Sequence, residues 1–299
     1  MVGFYLCRYP APQRVTMLIA KLDALRLSLP ISSCVPRSKP MVIDIHTHPR
    51  WSGGRFMNHP EPAEGDAMLE LAGRQGIEML CLLGRFYPYP DEAGIRAIND
   101  ATIGMVRRHP GRIFGLCFLN PVLPPAFLLG EIDRCLDAGL SGVKLEYEVN
   151  ARDSRLDPVM EEVGEREAFV LHHAWYKTVG KVEEESDPSD IAHLARRHPE
   201  TKILMAHLTA AGIRGVLDIK ACPNVSVDTS GSPPVAGLVE YAVEHLGAER
   251  VLFGSDFPIR DFACQLGRVE GADLTESNRE KLLWKNAARL LKIPTEGFE

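Results

Sequence analysis

The sequence has no C-x-x-C pair, no glycine-rich phosphate loop and no long apolar run, and each absence removes a class of protein. Without a C-x-x-C pair, a thiolate zinc site is not expected. The seven cysteines are odd in number, widely spaced and mostly set in apolar segments. They read as reduced core thiols of a cytoplasmic protein, not as a disulfide framework. No stretch of about 18 apolar residues occurs, so no membrane span is expected. Basic charge is also short: 34 Lys and Arg face 40 Asp and Glu, for a formal net charge of −6. That leaves no basic face for nucleic acid. Gly53-Gly54 comes nearest to a phosphate loop, but it follows H-x-H-P-R-W and opens no evident helix. A doubly wound nucleotide-binding sheet is therefore disfavoured.

What is present divides at Met41. Residues 1–40 carry six Lys and Arg against the single acid Asp23 and are broken by five prolines. They read as an N-terminal extension: disordered, a targeting segment, or sequence upstream of a true start at Met41. From residue 41 to 299, short apolar strand patterns alternate with amphipathic helix patterns. Strands are expected at about 41–48, 77–83, 113–119, 140–147, 168–172, 202–206, 225–228 and 250–254. Helices are expected between them at about 64–75, 92–109, 127–138, 156–166, 188–198, 209–220 and 233–246, with a last one at 276–291. Eight near-continuous apolar strands, each followed by a helix, suggest an α/β fold of the (β/α)8 TIM-barrel type in one domain, 41–299.

The C-terminal strand ends of such a barrel converge on one mouth. Strand one ends in M-V-I-D-I-H-T-H, so His46 and His48 lie two apart and share a face. Strand four supplies Lys144 and Glu146, strand five His172 and His173, strand six His207 and strand eight Asp256. Ionisable groups are uncommon in buried strands unless paired or bound. Several imidazoles and a carboxylate together form a donor set for Zn2+, Mn2+ or Fe2+.

These motifs resemble the amidohydrolase superfamily, in particular the amidohydrolase-related branch that includes aminocarboxymuconate-semialdehyde decarboxylase. The resemblance rests on I-D-I-H-T-H-P, V-L-H-H-A-W, L-M-A-H-L, L-F-G-S-D-F-P and the closing N-A-A-R-L-L. It implies a metal held by His46, His48, one strand-five histidine and Asp256, with His207 polarising the substrate or helping to activate water. His173-Ala174-Trp175 looks like the branch's H-P-W, which favours His173 over His172. One divalent ion is implied, zinc first, with manganese or iron as alternatives. A second ion would enlist Lys144 as a bridging carbamate.

The chemistry expected first is hydrolysis of a C–N or C–O bond in a small carbonyl substrate, with Asp256 and His207 as catalytic residues. The alternative is decarboxylation of a small aromatic or muconate-type acid, and a second alternative is a non-catalytic metal-binding barrel. Arg50, Trp51, Arg85 and Trp175 follow strand ends and are the substrate-binding candidates, suited to a small carboxylate. Glu183–Glu185 reads as a solvated face, and His59, His109, His193, His198 and His245 as surface histidines. A homodimer is left open.

Overall fold

The structure is a computed structural model that describes residues 41–49, 51–52, 55–56, 64–84, 90–177, 179–231 and 235–294. The N-terminal segment 1–40, with its expected extension, lies outside the described residues. Eight parallel strands form one sheet: β1 Ile43–Thr47, β4 Met79–Leu82, β5 Ile113–Phe118, β6 Gly142–Leu145, β7 Phe169–His172, β8 Lys202–Met205, β9 Val225–Asp228 and β10 Val251–Leu252. Two further strands, β2 Trp51–Ser52 and β3 Arg55–Phe56, form a small antiparallel pair. Main-chain hydrogen bonds bring the first and last barrel strands together: Ile45 N to Phe253 O at 3.1 Å, Asp256 N to His46 O at 2.8 Å and His48 N to Phe257 O at 2.7 Å. The result is the expected (β/α)8 barrel.

The strands are apolar on both faces because they are covered on both. Ile43, Ile45, Leu80, Leu82, Leu116, Val143, Val170, Leu204, Val225 and Val251 are all buried. Helices α1 Glu64–Arg74, α2 Glu92–Arg108, α3 Pro125–Asp137, α4 Asp157–Glu165, α5 Pro188–Arg197, α6 Leu208–Ile219 and α7 Leu238–Leu246 follow in turn. Several begin at side-chain caps. Asp91 accepts from Gly94 N at the start of α2, and Asp187 with Asp190 forms a reciprocal box at the start of α5.

Three differences from the expected elements have local causes. The helix expected from Pro233 starts at Leu238, after Gly237 at a φ of 76°. An unforeseen helix, α8 Phe262–Glu270, follows β10 and is capped by Asp261. The last helix is α9 Glu276–Glu280 and α10 Asn286–Leu290, joined by a π-helical turn at Lys281–Lys285.

Candidate metal centre

The site is built where β1 meets the end of β10. His46 lies on β1 and His48 one residue past its end, and Asp256 comes four residues after Leu252. Asp44, two residues before His46 on the same face, joins the two segments: its Oδ1 accepts from His46 N at 3.1 Å and Ser255 N at 2.9 Å. Burial raises the Asp44 carboxyl to about 7. Asp256 sits at a φ of 64° and His207 at 72°, the left-handed region that few side chains adopt. Such backbones persist at sites where the surroundings hold them in place.

His46 Nε2 and His48 Nε2 each lie 3.5 Å from Asp256 Oδ1. All three donor atoms lie within 4.8 Å of one another and belong to buried residues. His46 Nε2 and Asp256 Oδ1 have no hydrogen-bond partner. Buried polar atoms normally have one. Lone pairs converging in this way suit a cation, and two imidazoles with one carboxylate suit a divalent ion.

Behind these donors stands Asp228, at the end of β9. Its Oδ2 lies 2.7 Å from His46 Nδ1. Its Oδ1 accepts from His207 N at 3.1 Å, Ser230 N at 3.0 Å and the Ser230 hydroxyl. Burial pushes the Asp228 carboxyl up, but His46 and these hydrogen bonds outweigh it and hold it below the usual range. Burial likewise disfavours a charged His46, yet Asp228 prevails and raises its proton affinity. Asp228, His46 and His207 also present clustered donor atoms. Those of Asp228 are already taken up by the hydrogen bonds just named.

The strand-five histidines part company. Adjacent strand side chains point to opposite faces. His173 lines the cavity of the site. His172 is fully buried and sets its Nδ1 2.7 Å from His173 O, and its Nε2, like that of His46, has no hydrogen-bond partner. Burial holds His172 down to about 4. His173 Nε2 lies 2.8 Å from Glu185 Oε1, and its Nδ1 lies 3.2 Å from His207 Nε2. Glu185 is therefore not on a solvated face, as its acidic run suggests: it is fully buried and also binds Lys177 Nζ at 2.7 Å. Burial raises its carboxyl, but His173 and Lys177 reverse the effect and bring it to about 2. Nothing but the folded path of the loop places Glu185 here, whereas Asp228 stands at a strand end, the position that marks the other site residues.

Lys144 is fully buried and ion-paired to Glu146 Oε1 at 3.0 Å. Burial raises the Glu146 carboxyl, and Lys144 and His173 bring it below its ordinary value. His207 is held well below the usual imidazole value, by burial first and by His46, His173 and Lys144 next.

A cavity of about 310 Å3 opens over these groups, lined by His48, His173, His207 and Asp256, by Glu146, Tyr147, Trp175, Lys177 and Glu185, and by Ile259 and Arg260. The Trp175 ring centroid is 5.4 Å from that of His207. Of the residues expected to contact substrate, Trp175 lines the cavity. Arg50, Arg85 and the side chain of Trp51 lie outside the described residues. Among the histidines read as surface, His198 is half-buried and lies 2.7 Å from Asp157 Oδ1.

The amidohydrolase family model matches residues 43–293. The chain belongs to the amidohydrolase family. Among curated members, a 70-residue stretch is 31% identical to gamma-resorcylate decarboxylase of Polaromonas sp. (strain JS666), covering 23% of this chain and 21% of that one. Solved amidohydrolase-like structures align over most of the barrel. 5-Carboxyvanillate decarboxylase from Sphingomonas paucimobilis aligns with a TM-score of 0.68 at 17% identity, covering 85% of this chain and 99% of that one. A dihydroxybenzoic acid decarboxylase from Polaromonas sp. JS666, with bound manganese and the inhibitor 2-nitroresorcinol, aligns with a TM-score of 0.67 at 18% identity, covering 85% and 97%. Among the described residues, no helix is long and apolar enough to cross a membrane.

Proposed function

We propose that this member of the amidohydrolase family is a divalent-metal-dependent decarboxylase of a small hydroxylated aromatic acid. The observation that carries the reading is the convergence of His46 Nε2, His48 Nε2 and Asp256 Oδ1 beside a cavity that also holds an aromatic wall and two cationic side chains. The relatives support decarboxylation over the hydrolysis expected first: the curated match and both solved structures are named as decarboxylases of hydroxylated aromatic acids.

His46, His48 and Asp256 would hold the ion, with one strand-five histidine as the fourth ligand that the resemblance implies: His173, whose nitrogens face Glu185 and His207, or His172, whose buried Nε2 has no hydrogen-bond partner. Manganese is supported by the ion in one related structure, alongside the zinc expected from the donor set. When bound, such an ion neutralises and orients the carboxylate or phenolate of the substrate. Trp175 and Tyr147 flank the aromatic ring, with Arg260 and Lys177, the latter paired to Glu185, at the rim of the cavity. His207 receives a hydrogen bond from the substrate hydroxyl at Nε2. Asp256 carries a proton on Oδ2 to the ring carbon that bears the carboxylate. The carbon–carbon bond then breaks, its electron pair returns to the ring, and CO2 leaves. One proton is taken up for each CO2 released, and Asp256 regains its proton from solvent. The buried setting of His46, His207 and Asp256 keeps competing water from the reacting atoms.

The test is turnover of 2,6-dihydroxybenzoate and 5-carboxyvanillate by manganese-loaded protein. CO2 release, with one deuterium entering the vacated ring position in D2O, is the expected result. Cleavage of amides or lactones with no CO2 from any hydroxybenzoate would restore hydrolysis. Retention of metal with no turnover in either assay would favour the non-catalytic barrel.

A further inference from the structure

We infer that Asp228 and Ser230 are positioning residues that fix His207 as its Nδ1–H tautomer, presenting the Nε2 lone pair to the cavity, while the same carboxylate aims His46 Nε2 at Asp256. The inference rests on the decarboxylase reading only for what the lone pair does there. The assignment itself follows from counting hydrogens.

An ionised carboxylate can only accept, and a hydroxyl has one hydrogen to give. Asp228 is fully buried, and its Oδ1 receives the Ser230 hydroxyl together with the main-chain N–H groups of His207 and Ser230. The single Ser230 hydrogen is therefore spent on Asp228. Ser230 Oγ lies 2.8 Å from His207 Nδ1 and can enter that contact only as acceptor, so Nδ1 carries the hydrogen. In a neutral imidazole the other nitrogen, Nε2, is then a lone pair. It faces His173 Nδ1 at 3.2 Å, which is then the donor in that contact, while His173 Nε2 donates to Glu185 Oε1 at 2.8 Å. On its second oxygen, Asp228 accepts from His46 Nδ1 at 2.7 Å, which leaves His46 Nε2 as the lone pair facing Asp256 Oδ1 at 3.5 Å.

The turn that makes this work is tight. Gly231, at a φ of 91°, follows Ser230, and a Cβ there would sit 2.8 Å from Thr209 Oγ1 and 3.0 Å from His207 Cβ. The loop after β9 is thus pressed against the start of α6, which holds Ser230 on the imidazole. One carboxylate therefore orients two site histidines. It reaches His46 directly, and His207 through a hydroxyl and a main-chain N–H. His207 is set up to accept a hydrogen bond, not to donate one, so a productive substrate must bring a hydroxyl to it.

Ser230→Ala, Ser230→Thr and Asp228→Asn separate the two arms. Imidazole 15N–1H correlation spectra of the metal-free protein read the tautomer without reference to turnover. The native protein is expected to show a protonated Nδ1 and an unprotonated Nε2 for His207. Ser230→Ala should lose that preference and lower kcat at least tenfold, with manganese affinity changed less than about twofold. Ser230→Thr should restore both. Asp228→Asn should weaken manganese binding about 10–100-fold, the usual cost of losing a carboxylate behind a ligating histidine. A protonated Nε2 in the native protein, or a Ser230→Ala spectrum identical to the native one, would overturn the assignment. A correct tautomer in a protein that releases no CO2 would sink the proposed reaction and leave the assignment standing.

Discussion

Asp256 combines a chemical demand with a backbone demand. Its carboxylate faces two imidazoles, and its φ of 64° lies where asparagine and aspartate are tolerated better than most residues. Asp256→Asn should therefore fold as the native protein does. It should lose metal affinity and about 10²–10⁴ in kcat, the range for a lost acid–base group. Asp256→Ala should lose the same activity and some melting temperature as well, because alanine resists that φ. Calorimetry beside kinetics checks both; equal melting of the two variants would show that the backbone makes no demand. The candidate-site residues legible in the sequence were those at strand ends with an unusual type: His46, His48, the His172–His173 pair, His207 and Asp256. Asp228 occupies the same kind of position in V-S-V-D but passed as an ordinary strand terminus. Glu185 was hidden for a different reason. An acidic run looks solvated, and only the loop's return to His173 and Lys177 buries its third member.

At the scale of elements, the strands and helices were largely legible because hydrophobic period and capping agreed. Asp91, Asp187 and Thr275 mark helix starts, and the apolar runs mark strands covered on both faces. What escaped were α8 and the delayed start of α7, where short elements depend on packing more than on pattern. Asp190 shows how one element is fastened. It accepts from Asp187 N at 2.9 Å and Asn150 Nδ2 at 3.1 Å and pairs with Arg152. Burial raises its carboxyl, but these partners outweigh burial and lower it. A carboxyl that is more acidic folded than unfolded stabilises above the unfolded value of about 3.8, and that stability is lost as pH falls through the folded value. Asp190→Asn should cost about 1–3 kcal/mol near neutrality and flatten the acid limb of the stability curve. Denaturant melts at pH 7 and pH 3 provide the check: parallel losses at both would contradict it. Gly254 tests the strand that carries Asp256. A Cβ there would lie 2.9 Å from His46 Cβ and 3.1 Å from Asp228 Cβ. Gly254→Ala should cost about 1–3 kcal/mol as overpacking and weaken metal binding, measured by titration calorimetry.

The whole molecule should be steadied by its ion. A ligand that binds only the folded state stabilises by about 2.7 kcal/mol at a hundredfold excess over Kd. For a barrel of this size each kcal/mol is worth roughly 2–4 °C in melting temperature. Manganese should therefore raise the melting temperature of the metal-free protein by several degrees, and His46→Ala should abolish the rise. An equal rise in that variant would mean that the ion binds elsewhere. The barrel as a whole was legible because eight repeats of one pattern reinforce each other, whereas its substrate was not, because the loops over the mouth follow no repeat. The join between β1 and β10 carries a further consequence. Asp44 and Ser255, which tie the donors together, are 211 residues apart in the chain. During synthesis, His46 and His48 leave the ribosome long before Asp256 exists, so a nascent chain keeps no complete coordination shell until its last barrel strand emerges. On the proposed ligand set, products that stop short of Asp256 should gain no stabilisation from added metal.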